Sequence, residues 1–271
     1  MTTTPASRRW LPLLNIIAYV LTVFVNFLSS ALPLNGRSAG DISDSLPSYF
    51  TPAGYAFAIW GLIYLSLGGF VVYQALPAQR QNPHIQRIGP LFVLASLANI
   101  AWIFSWHYGL YALSILFMVS LLAVLLLLYV RLGIGLRDEE RAQPLTRADK
   151  LLIDFPMSIY FAWINVATVA NIASVAPILG WNGSGIPGPT WAVIMMLVAT
   201  AIGSALLVNR ANLAYAGVLV WALMAIRAKQ GGIDMIATTA LIASAIIVAA
   251  ALVGWWRHTR AGRPQHQPIA A

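Results

Sequence analysis

Long apolar runs constrain this chain more than any other feature of its sequence. Eight segments of about 20 residues each carry at most one charged side chain. A helix of that length crosses the hydrocarbon core of a bilayer and pairs its own backbone N–H and C=O groups, which lipid cannot do. The segments are 11–33, 52–75, 88–106, 110–130, 151–175, 190–208, 212–228 and 233–256. The sequence therefore predicts an all-α integral membrane protein with about eight transmembrane helices.

The composition excludes an ordinary soluble domain. Charged residues make up 9% of the chain and hydrophobic residues 59%, whereas a soluble domain is about 25% charged. The chain has no cysteine, which excludes disulfides and thiolate chemistry. The first apolar run is longer than the roughly 7–15 apolar residues of a signal peptide, so we interpret it as a retained first helix.

The placement of basic residues predicts the orientation. If the N-terminus is cytoplasmic, 13 of the 16 basic residues fall on that side, and Arg37, Arg227 and Lys229 fall on the other. That bias fits the positive-inside rule. We expect both termini, including a tail at 258–271, to be cytoplasmic, and we expect a bacterial inner membrane. The basic residues stand at the ends of apolar runs, not in a stripe with aromatics, which argues against a nucleic-acid partner.

Groups for catalysis or ion movement are scarce within the spans. Asp154 and Asp234 lie close to span ends, where a helix N-terminus stabilises a carboxylate. No lysine lies inside a span, which excludes a buried Schiff base. No nucleophile and base can be assembled from the motifs present. An enzymatic function, such as porphyrin breakdown, therefore has no independent support in the residues, and we leave it open.

Three spans carry aromatic and amide side chains at matched depth. Trp60 lies about 13 Å into the second span, counted at 1.5 Å per residue, which is deeper than the usual interfacial belt of aromatics. The third span places an amide and two indoles on one face, and the fifth places an indole and two amides near its middle. These residues are Asn99, Trp102, Trp106, Trp163, Asn165 and Asn171. They could line one cavity, or they could hold the helices together and fill space.

The same three segments resemble the signature of the translocator protein family, the TspO/MBR or tryptophan-rich sensory proteins. That family has a second helix of the form Phe-x-Pro-Pro-Gly-Trp-x-Phe-x-x-x-Trp-x-x-x-Tyr, which is similar to Phe50–Tyr64. Its third helix carries Asn-x-x-Trp, as Asn99 and Trp102 do here. Its fifth carries Trp-x-x-x-Ala-Thr-x-x-Asn, which begins here at Trp163 and ends at Asn171.

The chain also departs from the family pattern. Ala53 and Tyr55 replace the second proline and the first tryptophan of the second-helix motif. Reaching Trp60 requires a one-residue gap, which rotates this side chain by about 100° unless the helix start adjusts. The spans after residue 190 have no counterpart in the five-helix family fold. The resemblance is therefore to a longer, divergent member, with a TspO-like core at 1–175 and three further transmembrane helices at 176–257.

The resemblance implies a receptor or carrier for a flat hydrophobic ligand. Family members bind tetrapyrroles such as porphyrin or haem, and some bind sterols, in a pocket near the first outer loop. Carried over, the pocket contains Trp60, Asn99 and Trp163. We expect the indoles to stack on the ligand and the amides to anchor it. The complete predicted set is Trp60, Tyr64, Asn99, Trp102, Trp106, Trp163, Asn165 and Asn171, with His107 as a candidate axial ligand of a metalloporphyrin or, alternatively, an interfacial histidine.

Two alternatives remain open at the sequence level. The first is a transporter of a small neutral solute or lipid, using a cavity between the five-helix core and the last three helices. The second concerns partners: besides the bilayer and a hydrophobic small molecule, the protein could bind a second copy of itself. Small residues on one face of the sixth span, Ala192, Ala199 and Gly203, could support either a homodimer or packing within the chain.

Overall fold

The computed structural model describes residues 10–31, 34–137, 140–141 and 144–261. Within these ranges the regular structure is helical, and eight helices have 17 residues or more. Their bounds are α1 Leu11–Ala31, α2 Ile59–Ala75, α3 Leu91–His107, α4 Tyr111–Leu132, α5 Phe155–Val175, α6 Gly188–Arg210, α7 Leu213–Lys229 and α8 Asp234–Ala261. Each helix overlaps one predicted span. Arg8, Arg9, Pro33 and the predicted tail after Ala261 lie outside the described residues.

The helices have the length and composition that a bilayer requires. Six helical stretches are long and apolar enough to cross a membrane, including Gly54–Ala75 and Arg147–Val175, which extend α2 and α5. The helix α3 is apolar but shorter. Both α3 and α7 have 17 residues, or about 26 Å at 1.5 Å per residue, close to the roughly 30 Å hydrocarbon core. The predicted all-α integral membrane fold is confirmed.

The helix α5 lies at the centre of the bundle. It contacts α2, α4 and α7. Two thirds of its most apolar 18-residue stretch is buried, a larger share than in any other described span. On one side of it α1 packs against α2 and α3, and α3 packs against α4, while on the other side α6 and α7 both pack against α8. The small-residue face of α6 packs inside the chain, since a Cβ at Gly203 would stand 2.7 Å from Leu219 Cδ1 and 3.2 Å from Ile247 Cδ1.

The entry into α2 adjusts the rotation of Trp60. Residues Gly54–Ala58 form a 3₁₀ helix that runs into α2. A 3₁₀ helix turns about 120° per residue and an α-helix about 100°. Five such residues therefore add about 100°, which is the rotation that the one-residue gap in the family motif removes. Trp60 lies on the face of α2 that meets α3 and α5, where its ring contacts those of Trp102 and Trp163.

Buried amides join the helices in pairs. Asn15 Nδ2 donates to Gln74 Oε1 at 2.9 Å, and Asn26 Nδ2 donates to Asn99 Oδ1 at 2.8 Å, connecting α1 to α2 and α3. Asn171 of α5 exchanges hydrogen bonds with the Ser114 hydroxyl of α4 at 3.2 and 3.4 Å. An unpaired amide in hydrocarbon is costly. These amides therefore hold the bundle together, as the packing interpretation of the sequence requires.

Carboxylates are paired at the end of the bundle where α5 begins. Asp154 Oδ2 accepts a hydrogen bond from the nearly buried Arg141 at 3.0 Å. Asp149 accepts from Tyr73, Asn82 and Thr146. These contacts fix the loop between α4 and α5 to the ends of α2 and α5.

Candidate ligand cleft

A narrow cleft opens between α2, α3 and α5, close to one end of α3. Its volume is ≈ 30 Å³. Four indoles and a phenyl ring form most of its surface, small residues of α5 form the back, and the segment between α1 and α2 covers it. The lining residues are Ser43, Pro52, Phe57, Trp60, Trp102, Trp106, Trp163, Val166, Ala167, Ala170, Asn171 and Ser174.

The rings form one continuous aromatic cluster around Trp60. The Trp60 and Trp102 rings are near parallel, with centroids 6.5 Å apart and planes at 28°, and Trp102 continues onto Trp106 at 6.0 Å. Trp163 meets Trp60 edge to face, at 6.3 Å and 84°. Tyr64 stacks on the other side of Trp60 at 5.4 Å. Both arrangements are favourable for aromatic pairs, so the cleft has indole faces on one wall and an indole edge on the next.

The helical period explains which side chains of α5 reach the cleft. Ala167, Ala170, Asn171 and Ser174 follow Trp163 by 4, 7, 8 and 11 residues, which are the positions of one helix face. The small side chains leave room in front of the Trp163 ring. Asn165 is two residues from Trp163, or about 200° around the helix, and it lies outside the cleft.

Two indole N–H groups of the cleft have no hydrogen-bond partner among the described residues. They are Nε1 of Trp102 and Nε1 of Trp163, both fully desolvated. Trp106 Nε1, by contrast, donates to the carbonyl of Ala39 at 3.2 Å. Buried polar groups are nearly always paired, and leaving one unpaired costs about 1–3 kcal/mol. Two residues that line the cleft therefore carry N–H donors that an acceptor on a ligand could satisfy.

A second polar cluster lies directly behind Trp60. Asn99 is completely buried, and its Oδ1 accepts from Asn26. Its Nδ2 lies near the hydroxyls of Tyr64 and Tyr160 but has no hydrogen-bond partner there. This group supports the aromatic cluster from α1, α2 and α5 without lining the cleft.

The segment Asn35–Pro52 covers the cleft. Its short helix Ala39–Ser45 begins with a capping box, in which Ser38 and Asp41 exchange side-chain and backbone hydrogen bonds. Hydrogen bonds from Ser38 lower the pKa of the exposed Asp41 carboxyl, so the cap persists at neutral pH. We call this segment the cover.

Five polar contacts join the cover to the bundle among the described residues. Asn35 Nδ2 donates to the His107 carbonyl at 3.0 Å, and Trp106 donates to Ala39. Thr51 Oγ1 lies 3.3 Å from Ser174 Oγ, and Gln230 Nε2 donates to the Ser48 carbonyl at 3.3 Å. Lys229, at the end of α7, forms a partly exposed ion pair with Asp44. Ile42 and Phe50 of the cover are buried in the core.

The structure brings together five of the predicted residues in the cleft: Trp60, Trp102, Trp106, Trp163 and Asn171. Tyr64 and Asn99 do not line the cleft: Tyr64 stacks on Trp60, and Asn99 lies near the Tyr64 hydroxyl. Asn165 lines a different cavity, between α5, α6 and α7. His107 is buried beside the cover, outside the lining of the cleft, with Nδ1 2.8 Å from the Ile103 carbonyl.

Several lining residues of the cleft are not in the predicted set. Phe57 lies within the second-helix motif, and Ala170 and Ser174 share the helical period of Trp163, so a period count on α5 would have found the last two. Ser43 comes from the cover, and nothing in the sequence pattern indicates that it reaches the cleft.

The fold is that of an α-helical membrane protein, and the cleft within it is lined by tryptophans. A family model described as TSPO-like protein matches residues 12–253. The chain belongs to the TSPO-like family, and the match extends from α1 into α8. Neither the curated proteins nor the solved structures include a match to this chain.

Proposed function

We propose that this protein binds a tetrapyrrole, in the first place a metal-free porphyrin, in the tryptophan cleft. The observation that carries the proposal is the pair of unpaired indole donors, Trp102 Nε1 and Trp163 Nε1, within a cluster of indole faces. A porphyrin is flat and aromatic, and its peripheral carboxylates are hydrogen-bond acceptors. Its ring lies against the indole faces, and a carboxylate accepts from one or both N–H groups.

The expected strength follows from these two kinds of contact. An aromatic pair contributes about 0.5–1.5 kcal/mol beyond buried area, and a hydrogen bond to a charged acceptor contributes about 1.5–3 kcal/mol. Two or three ring contacts and one charged hydrogen bond, added to the burial of a large apolar surface, are sufficient for micromolar affinity, which corresponds to about −8 kcal/mol.

The ligand enters an opened form of the cleft. A volume of ≈ 30 Å³ holds about two water molecules, so a porphyrin requires movement of the cover and of the rings. Trp60 is the least buried of the four indoles and is the ring best placed to rotate. The closed form reduces the apparent affinity by the fraction of molecules that are open.

Haem fits the arrangement less directly than the metal-free ring. If His107 Nδ1 donates to the Ile103 carbonyl, Nε2 carries the lone pair that could ligate iron, and this atom is buried without a partner. Since His107 does not line the cleft, axial ligation requires the end of α3 to rearrange. We therefore assign the iron-free ligand first.

The binding core in this proposal is residues 1–175, with α6–α8 as a supporting layer. We also propose a bacterial inner membrane with the N- and C-termini on its cytoplasmic side, an orientation that the distribution of basic residues supports. In this orientation the cover and the mouth of the cleft lie on the outer side.

A titration of the purified protein with protoporphyrin, followed by tryptophan quenching and by the porphyrin absorbance band, tests the proposal. Trp163→Phe retains an aromatic ring and removes the unpaired N–H, and we expect it to weaken saturable binding about tenfold, as the loss of one charged hydrogen bond implies. Trp256→Phe, at an exposed position on α8, is the matched control and should bind as the wild type does. Non-saturable partitioning shared by all three proteins would contradict the proposal and favour the solute-carrier alternative.

A further inference from the structure

A larger cavity lies between α5, α6 and α7, on the opposite face of α5 from the tryptophan cleft. Its volume is ≈ 280 Å³, and Val166 is the one residue that lines both cavities. We call it the side chamber. A dry apolar cavity of about 150 Å³ can hold benzene; by proportion the side chamber holds on the order of eleven carbon atoms.

The walls of the side chamber offer almost nothing polar. Asn165 Nδ2 donates to the Phe161 carbonyl at 2.7 Å, Thr200 to the Met196 carbonyl at 2.6 Å, and Trp191 Nε1 to the Gly183 carbonyl at 2.8 Å. These three side-chain donors are therefore already used within the protein, and Tyr215 is the fourth polar side chain of the described lining. In the tryptophan cleft, by contrast, two of the indole donors are unpaired. The side chamber is suited to a hydrocarbon occupant, not to a carboxylate or a sugar.

The length of the side chamber matches that of a hydrocarbon chain. Its wall on α6 extends from Trp191 to Ile202, a rise of about 16 Å at 1.5 Å per residue. That length is close to half of the roughly 30 Å hydrocarbon core, the share of one leaflet. At the Ile202 end of this wall, Gly203 brings α6 close to Leu219 and Ile247, and this contact closes that end of the side chamber.

The side chamber is also open toward the bilayer. Val198 and Ile202 line it and yet are 53% and 61% exposed, so their edges face the surrounding lipid. The helix α6 packs along α8 but contacts α7 only slightly. An acyl chain can therefore enter from the bilayer, between α6 and α7, without movement of the cover.

We propose that the side chamber binds a single acyl chain of a membrane lipid from the leaflet next to the start of α6, with the headgroup beside Trp191. The acyl chain fills the space between the core and the last three helices. It supports the wall at Val166, which lines both the side chamber and the tryptophan cleft. This site is separate from the porphyrin site, and its occupant differs in chemistry.

The test uses a phosphatidylcholine with a photoactivatable diazirine in the middle of one acyl chain, incorporated in nanodiscs with the full-length protein. Cross-linked peptides are mapped by mass spectrometry. The proposal predicts that labelling of the wild type concentrates on peptides of α6 and α7 that line the side chamber. Labelling spread evenly over lipid-facing positions, such as those of α1, would overturn it.

A pair of substitutions on α6 makes the test specific. Ala199 lines the side chamber, and Ala201 is exposed on the lipid face two residues away. Ala199→Phe should reduce labelling inside the side chamber at least fivefold, and Ala201→Phe should leave it unchanged. Equal labelling in the two variants would overturn the proposal. Porphyrin titration of the same proteins reports the other site independently, so failure of one proposal is distinguishable from failure of the other.

Discussion

The rings of Trp163 and Trp60 meet edge to face, with centroids 6.3 Å apart and planes at 84°, while Nε1 of Trp163 remains buried and unpaired. Residues from α2 and α5 therefore meet at a ring contact and not at a hydrogen bond, although a donor is present. Trp102 Nε1 of the same cleft is also buried and unpaired, and in the proposed function these two donors bind the ligand.

The ion pair between Lys229 and Asp44 should control entry to the cleft. Lys229→Met removes this contact between the cover and α7. A partly exposed ion pair contributes up to about 1 kcal/mol, so the open population should rise about two- to fivefold. Stopped-flow quenching with protoporphyrin should show association faster by that factor.

The control for the ion pair is Arg137→Met, which removes the exposed pair between Arg137 and Glu140 in the loop after α4. Its association rate should remain that of the wild type. An unchanged rate in Lys229→Met would show that the cover is not the barrier to entry.

Gly254 should be essential to the packing of α8 on α6. A Cβ there would stand 2.1 Å from the carbonyl oxygen of Leu207, which is backbone and cannot move aside. Gly254→Ala should therefore lower the apparent Tm in detergent by several degrees, since overpacking costs about 1–3 kcal/mol. Gly61→Ala meets no atom within 4 Å and should leave the Tm unchanged or raise it, because alanine favours a helix by about 1 kcal/mol over glycine. Equal Tm values for the two variants would contradict this packing.

The amides of Asn26 and Asn99 should be energetically coupled. Each variant, Asn26→Leu and Asn99→Leu, removes the hydrogen bond between α1 and α3. In a double-mutant cycle measured by unfolding in mixed micelles we expect a coupling on the order of 0.6 kcal/mol, the typical value for helix pairs in membranes. Strict additivity of the two single variants would contradict the hydrogen bond.

His84 should make stability depend on pH. Burial lowers the pKa of this histidine in the loop between α2 and α3, and nearby Asp149 offsets part of that effect. Since the folded pKa lies below the unfolded value of about 6.5, the unfolded chain takes up the proton first, and stability falls as pH falls below about 6.5. The Tm difference between pH 7.5 and 5.5 should be smaller in His84→Leu than in the wild type. The same difference in the two proteins would contradict the assignment.

The sequence predicts the fold well because each bilayer span is a local property of about 20 residues. It predicts the cleft less completely, because a cleft depends on rotation about each helix axis. The period of α5 separates Asn165 from Trp163 by about 200°, and a count along the helix can show this. The 3₁₀ turn at Gly54–Ala58 sets the rotation of Trp60 about the helix axis. This turn begins beside a tertiary contact, the hydrogen bond from the Ala53 N–H to the Ala225 carbonyl at 3.0 Å. Ala225 is far away in sequence, and no local pattern indicates that contact.

The central claim, that the cleft between α2, α3 and α5 is the porphyrin site, is tested most directly by filling it. Ala170 lines the cleft, and Ala112 is exposed on the lipid face of α4. Protoporphyrin should raise the apparent Tm of the wild type and of Ala112→Phe, as any ligand of the folded state does, and should leave the Tm of Ala170→Phe unchanged. An equal rise in Ala170→Phe would place the ligand elsewhere and contradict the account.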